Sequence, residues 1–258
     1  MNDYYSDSFK DNEDSLLFTD NLLVLLLHLK DLQDWWKTYC SDNEHKVNYK
    51  FIGSCNGLDP KEAAQLIKED LNLVNGWHNN PELSIFEYIK RAIENQKVLV
   101  ILDNKNPYNN SLISLEDCRF VVLSDKQAPL IYINSENTEE SKIFFLLYGA
   151  TCIWLGIENL NDFSDYFEPV QNKLEAFCQE IIIKILSLKD KAQLVNILTE
   201  IAENTKINKK KLKAADKYSS FFLNSIIENV KGKVISYSDA SKILKNDCSR
   251  KLFKDKEP

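Results

Sequence analysis

The sequence predicts an α+β fold, with a small mixed sheet packed on one central helix and further helices before and after it. Three observations predict it. Short apolar, β-branched runs cluster in mid-chain at 98–102, 120–123 and 130–133. A long and strongly apolar helical stretch, 139–156, follows them directly. Helical periodicity brackets this group on both sides.

The elements are expected in the following order. Residues 1–15 are polar and acidic and read as a tail. Residues 16–40 read as a long helix. Its Leu22, Leu23, Leu26, Leu27, Leu32, Trp35 and Trp36 form an apolar face too wide for an isolated surface helix. That helix is expected to lie on the rest of the fold, the alternative being a partner-binding helix. A loop over 41–57 contains the short apolar piece Tyr49-Lys50-Phe51-Ile52. Asp59-Pro60 supplies a helix cap and first turn for a helix over 61–71. Asn75-Gly76 marks a turn, and a helix is expected from just after Asn80-Pro81 to the region of Asn95. The connection 124–129 suits a hairpin between the second and third strands. Asn137-Thr138-Glu139-Glu140 places a capping side chain and then two acids at the start of the central helix. Further helices are expected near 169–187, 190–203, 217–230 and 237–246. The chain divides into an N-terminal tail and packing helix (1–57), a core domain (58–190) and a C-terminal helical accessory region (191–258).

Composition excludes several classes of function. The 39 acidic residues exceed the 32 Lys and Arg, giving a formal charge of −7. A dedicated nucleic-acid binder is usually basic, so direct nucleic-acid contact is not expected. The longest clean apolar run, 22–27, is far short of the roughly 20 residues of a membrane span. The acidic start Met1-Asn2-Asp3-Tyr4-Tyr5 is unlike a signal peptide, so a cytoplasmic protein is expected. The six cysteines are scattered without a CxxC pair, which suits free thiols in a reducing compartment.

Several segments stand in a familiar order. Arg119-Phe120-Val121-Val122-Leu123-Ser124-Asp125 precedes Ala128-Pro129-Leu130-Ile131-Tyr132-Ile133-Asn134. A helix ending Cys152-Ile153-Trp154-Leu155-Gly156 follows, and then Asn172-Lys173-Leu174-Glu175-Ala176-Phe177-Cys178-Gln179. The arrangement resembles the ImmA/IrrE family of zinc metallopeptidases, whose members carry an "APLIFIN" strand, a helix "FTLAHELAHIWLG" and a later segment like "IERFCN". The resemblance spans about 20–250, with its strongest stretches at 119–134, 144–156 and 172–179. Upstream, 32–39 and 51–54 resemble the region joining a helix-turn-helix domain to the peptidase domain in longer relatives; downstream, 235–240 resembles a C-terminal family segment. It implies a zincin-like core.

The sequence departs from that family at the site of its chemistry. The helix-turn-helix domain that often opens such relatives has no room ahead of Asp34. The family's His-Glu-x-x-His falls on Tyr148-Gly149-Ala150-Thr151-Cys152. In a zincin the two histidines hold Zn²⁺ from one helical face, and the glutamate activates the metal-bound water. Tyr148 and Cys152 keep the spacing, yet a phenol with a pKa near 10 is a poor ligand at neutral pH. Gly149 has no group that could move a proton. Glu175 matches the family's third ligand, and one carboxylate does not hold zinc alone. The expectation is therefore no zinc, although a rebuilt set of Cys152, Glu175 and Cys178 is conceivable. Gly149 with Ala150 and Thr151 suggests a former metal cleft filled by side chains such as Tyr148, or closed by tight helix packing. His28, His45 and His78 all precede this helix and show no ligand pattern; His28, in a leucine-rich helix, reads as a core or partly exposed position rather than a ligand.

The resemblance implies a catalytically inactive homologue that binds a protein partner. Family members act on repressors in mobile elements, in toxin–antitoxin-like pairs and in stress responses, so a repressor, toxin or related regulator is the expected partner. The first alternative is an active metallo-endopeptidase with a rebuilt metal site. The second is DNA contact through the C-terminal helices and the lysine run of 206–217, which otherwise reads as a solvated face or linker.

Overall fold

The computed structural model describes residues 20–42, 47, 49–73, 83–157, 169–187 and 217–245, with the side chains of 20, 42 and 169–175 left aside. Seven helices and three strands lie within them: α1 (Asp20–Asp42), α2 (Pro60–Asp70), α3 (Ile85–Asn95), β1 (Leu99–Asp103), β2 (Phe120–Leu123), β3 (Leu130–Asn134), α4 (Glu139–Leu155), α5 (Pro169–Ile185), α6 (Ser220–Lys231) and α7 (Tyr237–Ile243). The expected α+β class, with a small mixed sheet on a central helix, is what the chain forms. The expected helix at 190–203 and the lysines at 206–213 lie outside the described residues, as do His45 and His78.

The strand order is β1-β3-β2. β1 runs parallel to β3, with Leu99 opposite Leu130 and Asp103 opposite Asn134. β2 runs antiparallel to β3, with Phe120 opposite Ile133, so 124–129 is the hairpin connection. Side chains alternate across a strand. Val100, Leu102, Phe120, Val122, Ile131 and Ile133 join one core, together with α2, α3, α4 and α5. Leu99, Ile101, Val121, Leu123, Leu130 and Tyr132 join the other, together with α1, α6 and α7. Both faces are covered, which is why the strands read as unbroken apolar runs rather than as an alternation.

Local chemistry sets the ends of the helices. Asp59 caps α2 through Lys61 N and Glu62 N, and Glu62 returns the bond to the Asp59 N–H at 3.3 Å. Thr138 caps α4 through Ser141 N at 3.2 Å, and Gly156 ends it in the left-handed conformation at φ 72°. α3 begins at Ile85, several residues later than the apolar pattern suggested, because the Ser84 hydroxyl accepts from Glu87 N and fixes the start there. α6 begins at Ser220 rather than 217. Tyr218 bridges antiparallel to Ile101, and the Ser219 hydroxyl accepts from Val100 N at 2.7 Å. Tyr218 and Ser219 therefore run beside β1 before α6 starts.

On α1 the buried stripe is Leu22, Leu25, Leu29, Leu32 and Trp36, the spacing of a helix face toward a core. Leu23 and Leu27, expected in that face, are about half exposed instead. Gln33 Nε2 donates to Ala128 O at 2.6 Å, and Lys37 pairs with Asp125 at 2.7 Å. Both contacts tie α1 to the β2–β3 hairpin. Among the described residues no helix is long and apolar enough to cross a membrane.

Candidate functional site

Residues 148–152, which the sequence resemblance sets against the peptidase motif, lie on α4. The turn that launches α4 is held by two buried amides. Asn134 Nδ2 donates to the carbonyls of Ile113 and Cys118, and Asn137 Nδ2 donates to those of Arg119 and Asn134. These bonds fix the direction in which the chain leaves β3. Beyond that turn α4 is buried on nearly every side, from Phe144 to Trp154.

Tyr148 is 3% exposed. Its ring stands edge-on to Phe120 at 5.5 Å and is tilted against Phe144 at 5.8 Å. Gly149 sits directly on β3. A Cβ built there would lie 2.9 Å from Ile131 Cδ1, 3.0 Å from its Cγ1 and 3.1 Å from its Cγ2. Three atoms of one branched side chain fill the space, so no single rotation clears it. Cys152 is fully buried, in the same core as Cys178 of α5. Tight helix–sheet contact therefore fills the space beside Gly149, with Ile131 as the filler, and Tyr148 fills the neighbouring space against β2.

The far end of α4 is strapped down by the turn at 53–55. Gly53 N donates to Ile153 O at 3.2 Å and Cys55 N to Trp154 O at 2.9 Å, satisfying carbonyls that a helix end leaves open. Trp154 is fully buried, stacks on Phe51 at 4.2 Å and donates its indole N–H to Asp70 at 2.7 Å. A Cβ on Gly156 would stand 3.3 Å from Gly53 Cα, and both residues have positive φ, 72° and 76°, which favours glycine at each.

The chemical capacity of this seam follows. Between Lys142 and Leu155, α4 carries no carboxylate and no imidazole. The matched positions offer a phenol packed on rings, a glycine with no side chain and a buried thiol. They do not fit a tetrahedral zinc with an open position for water. Among the described residues no three His, Cys, Asp or Glu side chains converge as a metal set. Glu175 lies on α5 with its side chain outside the described set, so the combination Cys152, Glu175 and Cys178 falls partly outside as well.

Two groupings of charge escaped the sequence reading. On α3, Lys90 and Glu94 are both buried and pair at 3.4 Å. They line a polar cleft of about 550 Å³ together with Arg91, Ser220, Phe221 and Asn224. Burial raises the Glu94 carboxyl above its usual range, against the opposing pull of Lys90. An i, i+4 Lys–Glu pair is the usual mark of a solvated helix face, so spacing alone could not reveal this burial. The second grouping surrounds Lys217. The sequence places it beside a solvated run, yet it is 4% exposed and pairs with Asp103 at 2.9 Å.

His28 is a core residue as expected, 5% exposed. Burial first, then the charges of Lys245 and Lys217, push its pKa from 6.5 down to about 3. Between those values the unfolded chain takes up the proton and the folded chain does not. The stabilising effect is therefore complete above pH 6.5 and is lost as pH falls toward 3. Wild type should lose about 2 kcal/mol more than His28→Leu between pH 6.5 and 4.5, measured by urea unfolding. Parallel slopes for the two proteins would refute this.

No family model matches the chain, and neither a curated protein nor a solved structure is significantly similar to it.

Proposed function

We propose that this chain is a catalytically inactive relative of the ImmA/IrrE metallopeptidases that acts in the cytoplasm by binding another protein, a repressor, toxin or related regulator. The observation that carries the reading is the contact of Gly149 with Ile131. At the position matching the family's general base there is no side chain, and no room for one. A peptidase needs an open metal position beside a substrate groove. The seam between α4 and the sheet offers neither.

The resemblance of segments 119–134, 144–156 and 172–179 to the family is the ground for the choice of partner. The charge of −7 favours protein over nucleic acid as that partner. The competing reading is an active endopeptidase with zinc held by Cys152, Glu175 and Cys178. Cys152 and Cys178 are both fully buried, which counts against a catalytic metal there.

The test is incubation of the purified protein with the repressors and toxins encoded beside it, with zinc added. The account predicts a stoichiometric complex on gel filtration and a partner left intact. Cleavage, or no complex with any of them, contradicts it.

A further inference from the structure

Glu87, Lys90, Arg91 and Glu94 stand at the spacing i, i+3, i+4 and i+7, so they form one stripe along α3. That stripe is one side of the cleft beside α6. Ser220 and Phe221, the first two residues of α6, are the other. At about 550 Å³ the cleft falls within the range of small-molecule sites, about 300–1,000 Å³. Its lining carries charge of both signs.

Two kinds of group are left open there. The first seeks an acceptor. No side chain caps α6, because the Ser219 hydroxyl is committed to β1: it accepts from Val100 N at 2.7 Å and donates to Val100 O at 3.2 Å. The first N–H groups of α6 therefore meet the cleft at the positive end of the helix. Arg91 and Lys97 add two cations that form no ion pair among the described residues; Lys97 Nζ lies 5.1 Å from the centre of the Phe221 ring. The second kind seeks a donor. Glu94 is 6% exposed, and its Oε1 accepts no hydrogen bond. Lys90 Nζ stands 3.4 Å from that oxygen as an ion pair. Burial raises the Glu94 carboxyl, Lys90 offsets this only in part, and the Glu87 carboxylate adds to it. A second cation at Oε1 would favour the charged form. A buried polar atom left unmet beside a cleft is costly unless a ligand completes it.

We infer that the cleft binds a free α-amino acid, with its ammonium group between Glu87 and Glu94 Oε1 and its carboxylate at the start of α6 beside Arg91. A guanidinium holds a carboxylate through two parallel N–H bonds, and a helix N-terminus suits the same anion. A simple carboxylate would leave Glu94 Oε1 unmet. A simple amine would leave Arg91 and the α6 N–H groups unmet. The lining sets three cations, Lys90, Arg91 and Lys97, against two carboxylates, Glu87 and Glu94, so an acidic amino acid is favoured over a basic one. This reading does not rest on the function proposed for α4.

The experiment is isothermal titration calorimetry of the full chain with L-glutamate, at neutral pH and constant ionic strength. Half-saturation is expected below about 1 mM. Glutarate lacks only the ammonium group and 4-aminobutyrate only the α-carboxylate, and each should bind about tenfold more weakly or worse. L-Lysine should also bind more weakly than L-glutamate. Arg91 is exposed, so Arg91→Gln should fold normally and weaken L-glutamate by about tenfold. Glu94→Gln should bring L-glutamate down to the level of glutarate, a change of preference that lost stability alone would not produce. Lys61→Gln, an equal change of charge on α2, should leave binding as it was. The ligand series needs no variant, so it decides the matter even where Glu94→Gln fails to fold. Absence of saturable binding, any of the other three ligands binding as tightly as L-glutamate, or an unchanged preference in Glu94→Gln would overturn the assignment.

Discussion

Gly149→Glu, which places a glutamate where the proposed relatives carry their general base, should abolish stable folding rather than confer peptidase activity. The new side chain would start 2.9 Å from Ile131 Cδ1, where overpacking costs about 1–3 kcal/mol. Its carboxylate would then be buried against β3, among apolar side chains, at a further cost of several kcal/mol. Removing glycine from a helix interior returns only about 1 kcal/mol. The net loss of about 4 kcal/mol or more is a large part of a typical domain's stability. Gly149→Ala isolates the steric part. Its helix gain of about 1 kcal/mol is outweighed, leaving a net loss of about 1 kcal/mol. Combining Gly149→Ala with Ile131→Ala should show favourable coupling, because each change makes room for the other. A stabilised Gly149→Ala protein would mean that α4 and β3 are not in the contact described.

Trp154→Ala should be comparably severe, at about 3–5 kcal/mol. The indole fills the core between Phe51 and α2 and also reaches Asp70. Trp154→Phe keeps most of the packing and loses the charge-assisted bond, at about 2 kcal/mol. Asp70→Ala should reproduce most of the Trp154→Phe loss if the bond is what the phenylalanine removes. Denaturant unfolding of the three variants measures this. Equal stability of wild type and Trp154→Phe would show that the bond contributes nothing to holding α4 in place.

The parts of the fold that were legible are those decided locally. The three strands showed because both sheet faces are buried, so Val, Ile and Leu occupy nearly every position. Asp59-Pro60 and Thr138 announced their helices because a cap acts within four residues. What was not legible depends on distant pairing. Nothing near Tyr218 and Ser219 shows that they will bridge to β1, more than a hundred residues away, and so delay α6. Leu23 and Leu27 are apolar at helical spacing, yet the sheet lies on the side of Leu25 and Leu29.

The candidate site divides the same way. That residues 148–152 carry no His-Glu-x-x-His was visible in the letters, as was the suggestion of tight helix packing at Gly149. That Ile131 fills the space there could be learned only from where β3 meets α4. The cleft at Lys90 and Glu94 draws on α3 and α6, more than a hundred residues apart in sequence.

The central claim of the proposed function is that the seam between α4 and the sheet, filled at Gly149 by Ile131, holds no metal. Metal content of the purified protein, by plasma mass spectrometry, tests it most directly, with Glu175→Ala measured alongside. The account predicts substoichiometric zinc that does not change in the variant. Zinc near one equivalent, lost in Glu175→Ala, would contradict it and assign Glu175 to a rebuilt metal site.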